Sequence, residues 1–564
     1  MKRVGTCVNW KQYKTLPEKE KRDETYYIIG LDIGNDSSCI AFYNIMEGEP
    51  EIIDLSGGYG HPTIPTAMQY IVDTKEWVFG EYAILNRGID REITIKNLIE
   101  RLGSSEYIDI DNRPMSIVSL LGMYIKELLS SVKNINPNAE IAGIVASVPS
   151  YFSVRAREEL TRAFKSAGYE KELIGLVSDR ECVFAYHYHS PRPQEGAEIG
   201  TGAKNLLIDY GAREVRGGVY ITEPVKSVRP GLFERLKGKG RNTGITMRSL
   251  SSFFDNVIGT QKVQEEVKKL FTNYYVVNSA PHIQIHTPEN PDSSLGSNLN
   301  NNLDGSVQDQ LMAFTYQHKD ILFQKAIRNK PAKLYFNFTF PPFQQTVKPE
   351  EAEKLIEPFR MGFNQFIHHV LEKNLSEKVT IKDIDVVICI GGGFEMLWVR
   401  EAVGELFPPD KLHLYKNSKT IAAMGAAVTA AQLLEIAGGQ PVSVEDRHQL
   451  PVDIGLTVGD NRFVPLAECN SFWWQQHPAR LFIVNAPVDG KVPLSIISRS
   501  PEGKVKTLSN TQLTGLPERP KGTTRLSVHL KFLSDHEAMA TVEDCGFGEI
   551  FPKTEYEQKI LVKL

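Results

Sequence analysis

The sequence predicts a mixed α/β unit followed by an all-β unit. Short, continuous apolar runs deliver glycine-containing turns at Asp32-Ile-Gly34, Asp209-Tyr-Gly211 and Ile390-Gly391-Gly392, and segments of helical spacing lie between them. From about Leu450 the helical spacing stops, and strand-like runs follow one another with frequent turns. A chain of 564 residues is long enough for roughly three to four compact units with cores of their own.

In chain order, residues 1–25 read as a polar lead-in rich in Lys and Glu, without the apolar stretch of a secretory signal. Residues 26–33 (YYIIGLDI) and 39–44 (CIAFYN) read as buried strands, and the polar link 34–38 makes them a hairpin. Residues 115–133 have helical spacing and 141–148 (IAGIVASV) read as a strand. Ser153 is placed to cap a helix that runs to about Ala167 and stops at Gly168. Residues 205–210 form a strand closing on a glycine, and 215–221 pair back with it. The Pro/Asn/Ser/Gly-rich stretch 285–308 reads as a mobile surface insertion. A long helix follows over 350–375, then a strand over 384–390 and an Ala-rich helix over 419–437, ended by Gly438-Gly439. The division is a lead-in over 1–25, an α/β unit over 26–437, a linker over 438–449 and an all-β unit over 450–564.

Composition narrows the function. Lys+Arg 64 against Asp+Glu 69 leaves a formal charge of −5, which excludes a globally basic nucleic-acid coat. No run of about 18 apolar residues occurs, so no membrane-spanning helix is expected. The six cysteines are far apart and form no C-x-x-C, which points to a reducing, cytoplasmic setting rather than a zinc site or disulfide framework. G-x-x-x-x-G-K-[ST] is absent, which excludes a P-loop. Lys237-Gly-Lys-Gly-Arg241, basic and Gly-rich, reads as a solvated loop in preference to a contact for RNA or phosphate. His187 and His189 lack neighbouring Cys or acidic partners for a metal, and His368-His369 read as structural. Phe472-Trp473-Trp474 reads as core, or as an apolar contact site if exposed.

The three glycine turns carry the chemistry. Glycine permits positive φ and lets backbone N–H groups approach an oxygen-rich ligand. Asp32 and Asp209, at two of these strand ends, could hold hydrated Mg²⁺ against phosphates, or cap nearby backbone N–H groups. Lys96 taken alone reads as a solvated helix lysine.

The order and content of the motifs resemble the 70-kDa heat-shock chaperone family. Ile29-Gly-Leu-Asp-Ile-Gly34 with Ser38-Cys39 resembles its first phosphate hairpin, and Lys96-Asn-Leu-Ile-Glu-Arg101 the segment of its catalytic lysine. Val148-Pro-Ser-Tyr-Phe152 with Arg157 resembles its proline-switch strand and relay arginine, and 206–211 its second phosphate strand. Ile390-Gly-Gly392 and 417–428 (NSKTIAAMGAAV) resemble the adenosine loop and the helix after it. Residues 450–456 (LPVDIGL) and 513–522 (LTGLPERPKG) resemble the start and middle of its peptide-binding β-sandwich.

The resemblance implies an α/β actin-like ATPase domain, two-lobed and built from duplicated ribonuclease-H-like units, followed by an all-β sandwich that clamps extended apolar peptides. It implies ATP or ADP with Mg²⁺ as cofactors, and unfolded or extended polypeptide segments and co-chaperones as partners. Carried over by position, Lys96, Asp179 and Asp209 take catalytic roles. Asp32, Gly34, Asn35, Gly211, Gly391 and Gly392 contact nucleotide, and Asp32 and Asp209 hold Mg²⁺ through water. Pro149 and Arg157 form the allosteric relay, and Leu456, Val458 and Ile483 line the peptide groove.

The departures cluster at this chemistry. The family's Gly-rich second loop reads Ala212-Arg-Glu-Val-Arg216 here. Glu214 stands where a hydroxyl would orient water, and Arg216 replaces a carboxylate of the metal and water shell. Asn35-Asp36 replace small hydroxyl residues, Asp179 is one methylene shorter than the family's glutamate, and Arg180 replaces the following proline. Glu395 stands where an arginine stacks on the base. Arg213 and Arg216 read either as cationic phosphate contacts or as outward strand charges on a cleft without nucleotide. The family's apolar linker, which docks on its ATPase domain, is replaced by a polar stretch over 443–448, and the sequence reaches Leu564 without the family's helical lid, so the family's interdomain coupling is not expected to carry over unchanged. The expectation is a heat-shock-70-like chaperone with weak ATP hydrolysis; the alternative is a pseudo-ATPase interaction scaffold that no longer binds nucleotide.

Overall fold

The computed structural model describes residues 26–55, 61–85, 92–103, 106–150, 152, 154–189, 201–224, 245–255, 258–279, 305–339, 342–372, 379–437, 441–445, 450, 452–458, 462–469, 471, 477–484, 491–500, 503–532 and 537–563. The first sheet grows from β1 (Tyr26–Ile33), β2 (Ser37–Asn44) and β3 (Glu49–Ile52), an antiparallel meander, with β4 (Ile64–Pro65) paired to the start of β2. A small antiparallel sheet follows, β5 (Ala67–Ile71), β6 (Glu76–Phe79) and β7 (Glu92–Lys96). The hairpin β8 (Tyr107–Ile110) and β9 (Arg113–Ser116) leads into α1 (Ile117–Ile135), where the Ser116 hydroxyl accepts from the Ser119 N–H at 3.1 Å. β10 (Glu140–Val148), α2 (Val154–Ala167) and β11 (Leu173–Ser178) add two parallel strands, giving the order β11-β10-β1-β2-β3.

Helix α3 (Asp179–His189) leads to a second sheet of the same plan. β12 (Lys204–Tyr210), β13 (Val215–Pro224) and β14 (Ile245–Asp255) form its meander. After α4 (Thr260–Ser279), α5 (Gly305–Ile327), the hairpin β15 (Ala332–Phe336) and β16 (Phe343–Val347), and α6 (Pro349–Glu372), the chain returns. β17 (Val386–Ile390), α7 (Leu397–Leu406) and β18 (Leu412–Leu414) supply the two parallel strands. The order β18-β17-β12-β13-β14 repeats that of the first sheet, strand for strand and direction for direction.

Alternation along β1 explains how the two halves meet. Ile29 and Leu31 pack into the core with α1 and α2, whereas Ile28 packs on the other face with α8 (Ile421–Leu433). Alanine favours the helix, and its small side chain lets the α8 backbone touch its neighbours. A Cβ on Gly30 would stand 2.1 Å from the Ala423 carbonyl oxygen, and one on Gly425 would stand 1.7 Å from the Cys182 oxygen of α3. A helix that follows the second sheet is thereby seated on the first.

The expected elements are present with small shifts. The Ala-rich helix runs over 421–433 rather than 419–437, and residues 305–308, expected in an insertion, begin α5. The rest of that insertion, 285–304, lies outside the described residues, as do Ser153, the 237–241 loop, Phe472-Trp473-Trp474 and Gly438-Gly439. The linker reading is corrected in one respect. β19 (Val442–Glu445) pairs in parallel with β14, and its Val444 N–H donates to Glu181 Oε1 at 3.1 Å. Backbone pairing needs no apolar side chains, so a polar sequence docks as well.

The carboxy-terminal unit is two antiparallel four-stranded sheets. One is β21 (Arg462–Ala467), β20 (Asp453–Val458), β23 (Lys491–Arg499) and β24 (Val505–Thr514); the other is β22 (Arg480–Val484), β25 (Thr524–Phe532), β26 (Glu537–Asp544) and β27 (Glu557–Lys563). Their inner faces share one core that includes Ile454, Leu456, Ile496, Leu513, Val528 and Val542. A buried pair joins Arg519 to both carboxylate oxygens of Asp544, at 2.8 and 2.7 Å, and Asp544 also accepts from Gly546 and Thr554.

Gly425→Ala places a methyl against backbone that cannot yield, so it should cost about 3 kcal/mol or more. Gly404→Ala in α7, where nothing lies within 4 Å of the added Cβ, should be neutral or stabilising by up to about 1 kcal/mol. Urea unfolding of the two variants, followed by circular dichroism, checks the contrast.

Candidate functional site

Strand register brings the site together. Asp32, one residue from the end of β1, lies opposite Cys39 of β2 and beside Ser147 of β10. Asp209 of β12 is paired directly across the hairpin with Arg216 of β13 and sits beside Ile390 of β17. Asp179 opens α3, where its Oδ1 accepts from the N–H groups of Ser150 at 3.2 Å and Arg180 at 2.8 Å.

Arg216 links these parts. Its Nη2 donates to Asp209 Oδ2 at 2.5 Å and its Nη1 to Asp179 Oδ2 at 2.9 Å, and Nε lies 3.5 Å from Glu214 Oε1. The side chain is 18% exposed, so these contacts are only partly screened. The planar fork of a guanidinium suits this double engagement; an ammonium could not reproduce it. Beneath it, Arg180 is 5% exposed, donates to Ser252 Oγ at 3.1 Å and lies over the Tyr220 ring. The space left among Asp179, Arg180, Asp209, Arg216 and Tyr220 is about 10 Å³, room for about one water molecule.

The glycine turns are present, with their donors engaged internally. The Gly34 N–H donates to the Ser37 carbonyl at 3.0 Å, and the Gly211 N–H to the Glu214 carbonyl at 2.9 Å. Asn35 Oδ1 accepts from the Glu100 N–H at 3.2 Å, and the Glu100 carboxylate pairs with Arg213. Gly391 has φ +90°, and a Cβ there would stand 2.7 Å from Asp209 Oδ1, so only glycine fits. Over Gly392 lies the Lys419 side chain, whose Nζ is 3.4 Å from Glu395 Oε2. Two surfaces assigned to nucleotide by the resemblance therefore carry side chains of this chain.

Lys96 ends strand β7, opposite Ala67, and is not on a helix. Pro149 directly follows β10, and Arg157 Nη1 donates to the Leu176 carbonyl at 3.3 Å. The groove residues are not brought together. Leu456 is 1% exposed in the sandwich core and offers no surface to a peptide; Val458 packs partly against that core; Ile483 on the edge strand β22 is 52% exposed. His187 and His189 face different partners, Tyr415 and Tyr43. Two contributors receive no role in the sequence reading. Glu100 sits inside the Lys96–Arg101 motif without any signal, and Arg180 is visible only as a departure from proline.

Burial pushes the Asp32 carboxyl up to about 7, with Asp179 and Asp209 adding repulsion and Arg216 opposing it. Burial also raises Asp209 and Glu214, again against the pull of Arg216. Three carboxylates thus contact the Arg216 fork, and Asp32 senses its charge. At Asp209 Oδ2, where the resemblance implies hydrated Mg²⁺, the Arg216 guanidinium is bonded. Among the described residues, no group of three or more His, Cys, Asp or Glu side chains is arranged to hold a metal.

The raised Asp32 value has a definite sign. The folded protein holds a proton that the unfolded chain has released above its ordinary value of 3.8, so this group's contribution to stability falls as pH rises from about 4 to about 7. Asp32→Asn removes that dependence. The variant's advantage in urea midpoint should grow between pH 5 and pH 7 and level off above, whereas an advantage independent of pH would show that Asp32 is already ionised when folded.

Comparison with known families places two parts of the chain. Residues 49–199 match the C-terminal part of a family of unknown function, DUF5716. Residues 449–564, the sandwich, match a domain of unknown function, DUF8552. The first match spans β3 to α3 and includes Lys96 and Asp179; Asp32, Asp209 and Arg216 lie outside it.

Proposed function

We propose that the chain is an interaction scaffold: a two-lobed, actin-like body of heat-shock-70 type whose cleft does not process Mg-ATP, joined to a β-sandwich that engages other polypeptides. The observation that carries this reading is the Arg216 fork on Asp209 and Asp179. By the resemblance, those carboxylates serve a hydrated Mg²⁺ that bridges to phosphate, and position 216 supplies a further acid. Here the fixed positive charge already balances them. Bringing a cation to about 4 Å from it costs about 4 kcal/mol per pair of unit charges at an effective dielectric of about 20. The water-positioning place holds Glu214, itself drawn to Arg216. The repeated strand order of the two sheets supports the actin-like part of the reading, and the four-plus-four sandwich supports the rest.

A second reading, a chaperone with slow ATP hydrolysis, is favoured by Gly391, still kept as glycine against Asp209. Calorimetric titration with Mg-ATP separates the two. The scaffold reading expects no heat from the native chain at millimolar nucleotide, and binding to appear in Arg216→Asp, which restores an acid at that position. Micromolar binding to the native chain, lost in Lys96→Ala or Asp209→Ala, establishes the second reading instead.

A further inference from the structure

Among the described residues, arginine contacts cross between the two α/β halves at three levels of exposure. At the rim, Arg213 of the β12–β13 turn pairs with Glu100, which follows β7 of the first half and also holds the β1–β2 turn through Asn35. Midway, Arg216 of β13 bonds Asp179, the residue directly after β11. At the floor, Arg180 reaches the opposite way, to Ser252 of β14. Clefts that close on a ligand draw closing charges from that ligand, so binding shifts the population toward the closed state. Here both signs of charge belong to the chain.

We propose that these arginines form an autoinhibitory latch that holds the two halves closed without any ligand, with Arg216 as its principal element. The proposal deepens the scaffold reading and rests on it. The ranking follows from burial. The Arg213–Glu100 pair is exposed, and such pairs contribute little. Arg216 is mostly withdrawn from water, and removing it takes away the cation that bonds both Asp179 and Asp209 and leaves their repulsion opposed only by Arg180 and backbone N–H groups. The groups that face Arg216 include Asp209 on β12, Glu214 in the turn and Asp179 on α3, with Asp32 on β1 close enough to sense its charge.

Hydrogen exchange of the full chain, read by mass spectrometry, tests the latch alongside its radius of gyration from small-angle scattering. The native chain should give the same radius and the same exchange with and without Mg-ATP. Arg216→Met should speed exchange about tenfold or more at the 34–36 and 211–214 turns and at the Glu100 amide, leave β25 and β26 unchanged, and enlarge the radius. Arg213→Met should change the same amides less than about threefold. Native-like exchange in Arg216→Met overturns the latch, as does fast exchange at these turns in the native chain. If Arg216→Met also exposes the buried strand β17, Arg216→Lys decides by the same two outcomes, because it keeps the charge but cannot span two carboxylates. Nucleotide binding to the native chain would overturn the scaffold reading and leave a loosened Arg216→Met to support the latch. No binding together with unaltered exchange would overturn the latch alone.

Discussion

The close seating of α8 on β1 and α3 is the constraint from which the rest follows. Backbone meets backbone at Gly30 and Gly425, with no side chain between. Because α8 follows the strands of the second sheet and lies on the first, this contact sets the distance between the two meanders. Where the two sheets meet in front of that helix, Asp32, Asp179 and Asp209 sense one another's charge.

Carboxylates gathered in that way need a compensating cation or protons. The chain supplies both. Arg216 provides the fixed charge, and burial leaves Asp32 with an affinity for a proton near neutrality. Cross-strand register gives the arginine its place without further machinery. A turn over 211–214 puts residue 216 directly opposite residue 209, so one substitution in β13 delivers a guanidinium onto Asp209. The same turn keeps its own Gly211 N–H satisfied by Glu214, and the first turn treats Gly34 likewise. The N–H groups of Gly34, Gly211 and Gly391, one from each glycine turn, thus have acceptors within the protein.

Most of the element order is legible in the sequence because the relevant strands are continuous apolar runs and the helices have clear periods and glycine stops. The change at Leu450 marks the sandwich through composition alone. Individual side chains are legible only where local spacing decides their position. Arg216 is visible as a departure, and its partnership with Asp209 follows from hairpin spacing, but its bond to Asp179 depends on the α3 terminus, distant in sequence. Glu100 and the docking of β19 carry no local signal, because both are set by the meeting of separate elements. Leu456 shows the opposite error. Its apolar character fits a groove as well as a core, and only the packing of the second sheet places it inside.

The pairing of β19 with β14 has a consequence for the sandwich as a whole. The chain is anchored at Glu445, and the first sandwich strand starts at Asp453, so the tether between them spans at most about 30 Å. A domain confined to so small a radius is present at its neighbour at a local concentration on the order of millimolar. Weak contacts between body and sandwich, too feeble to register between separate molecules, would therefore be populated in the intact chain.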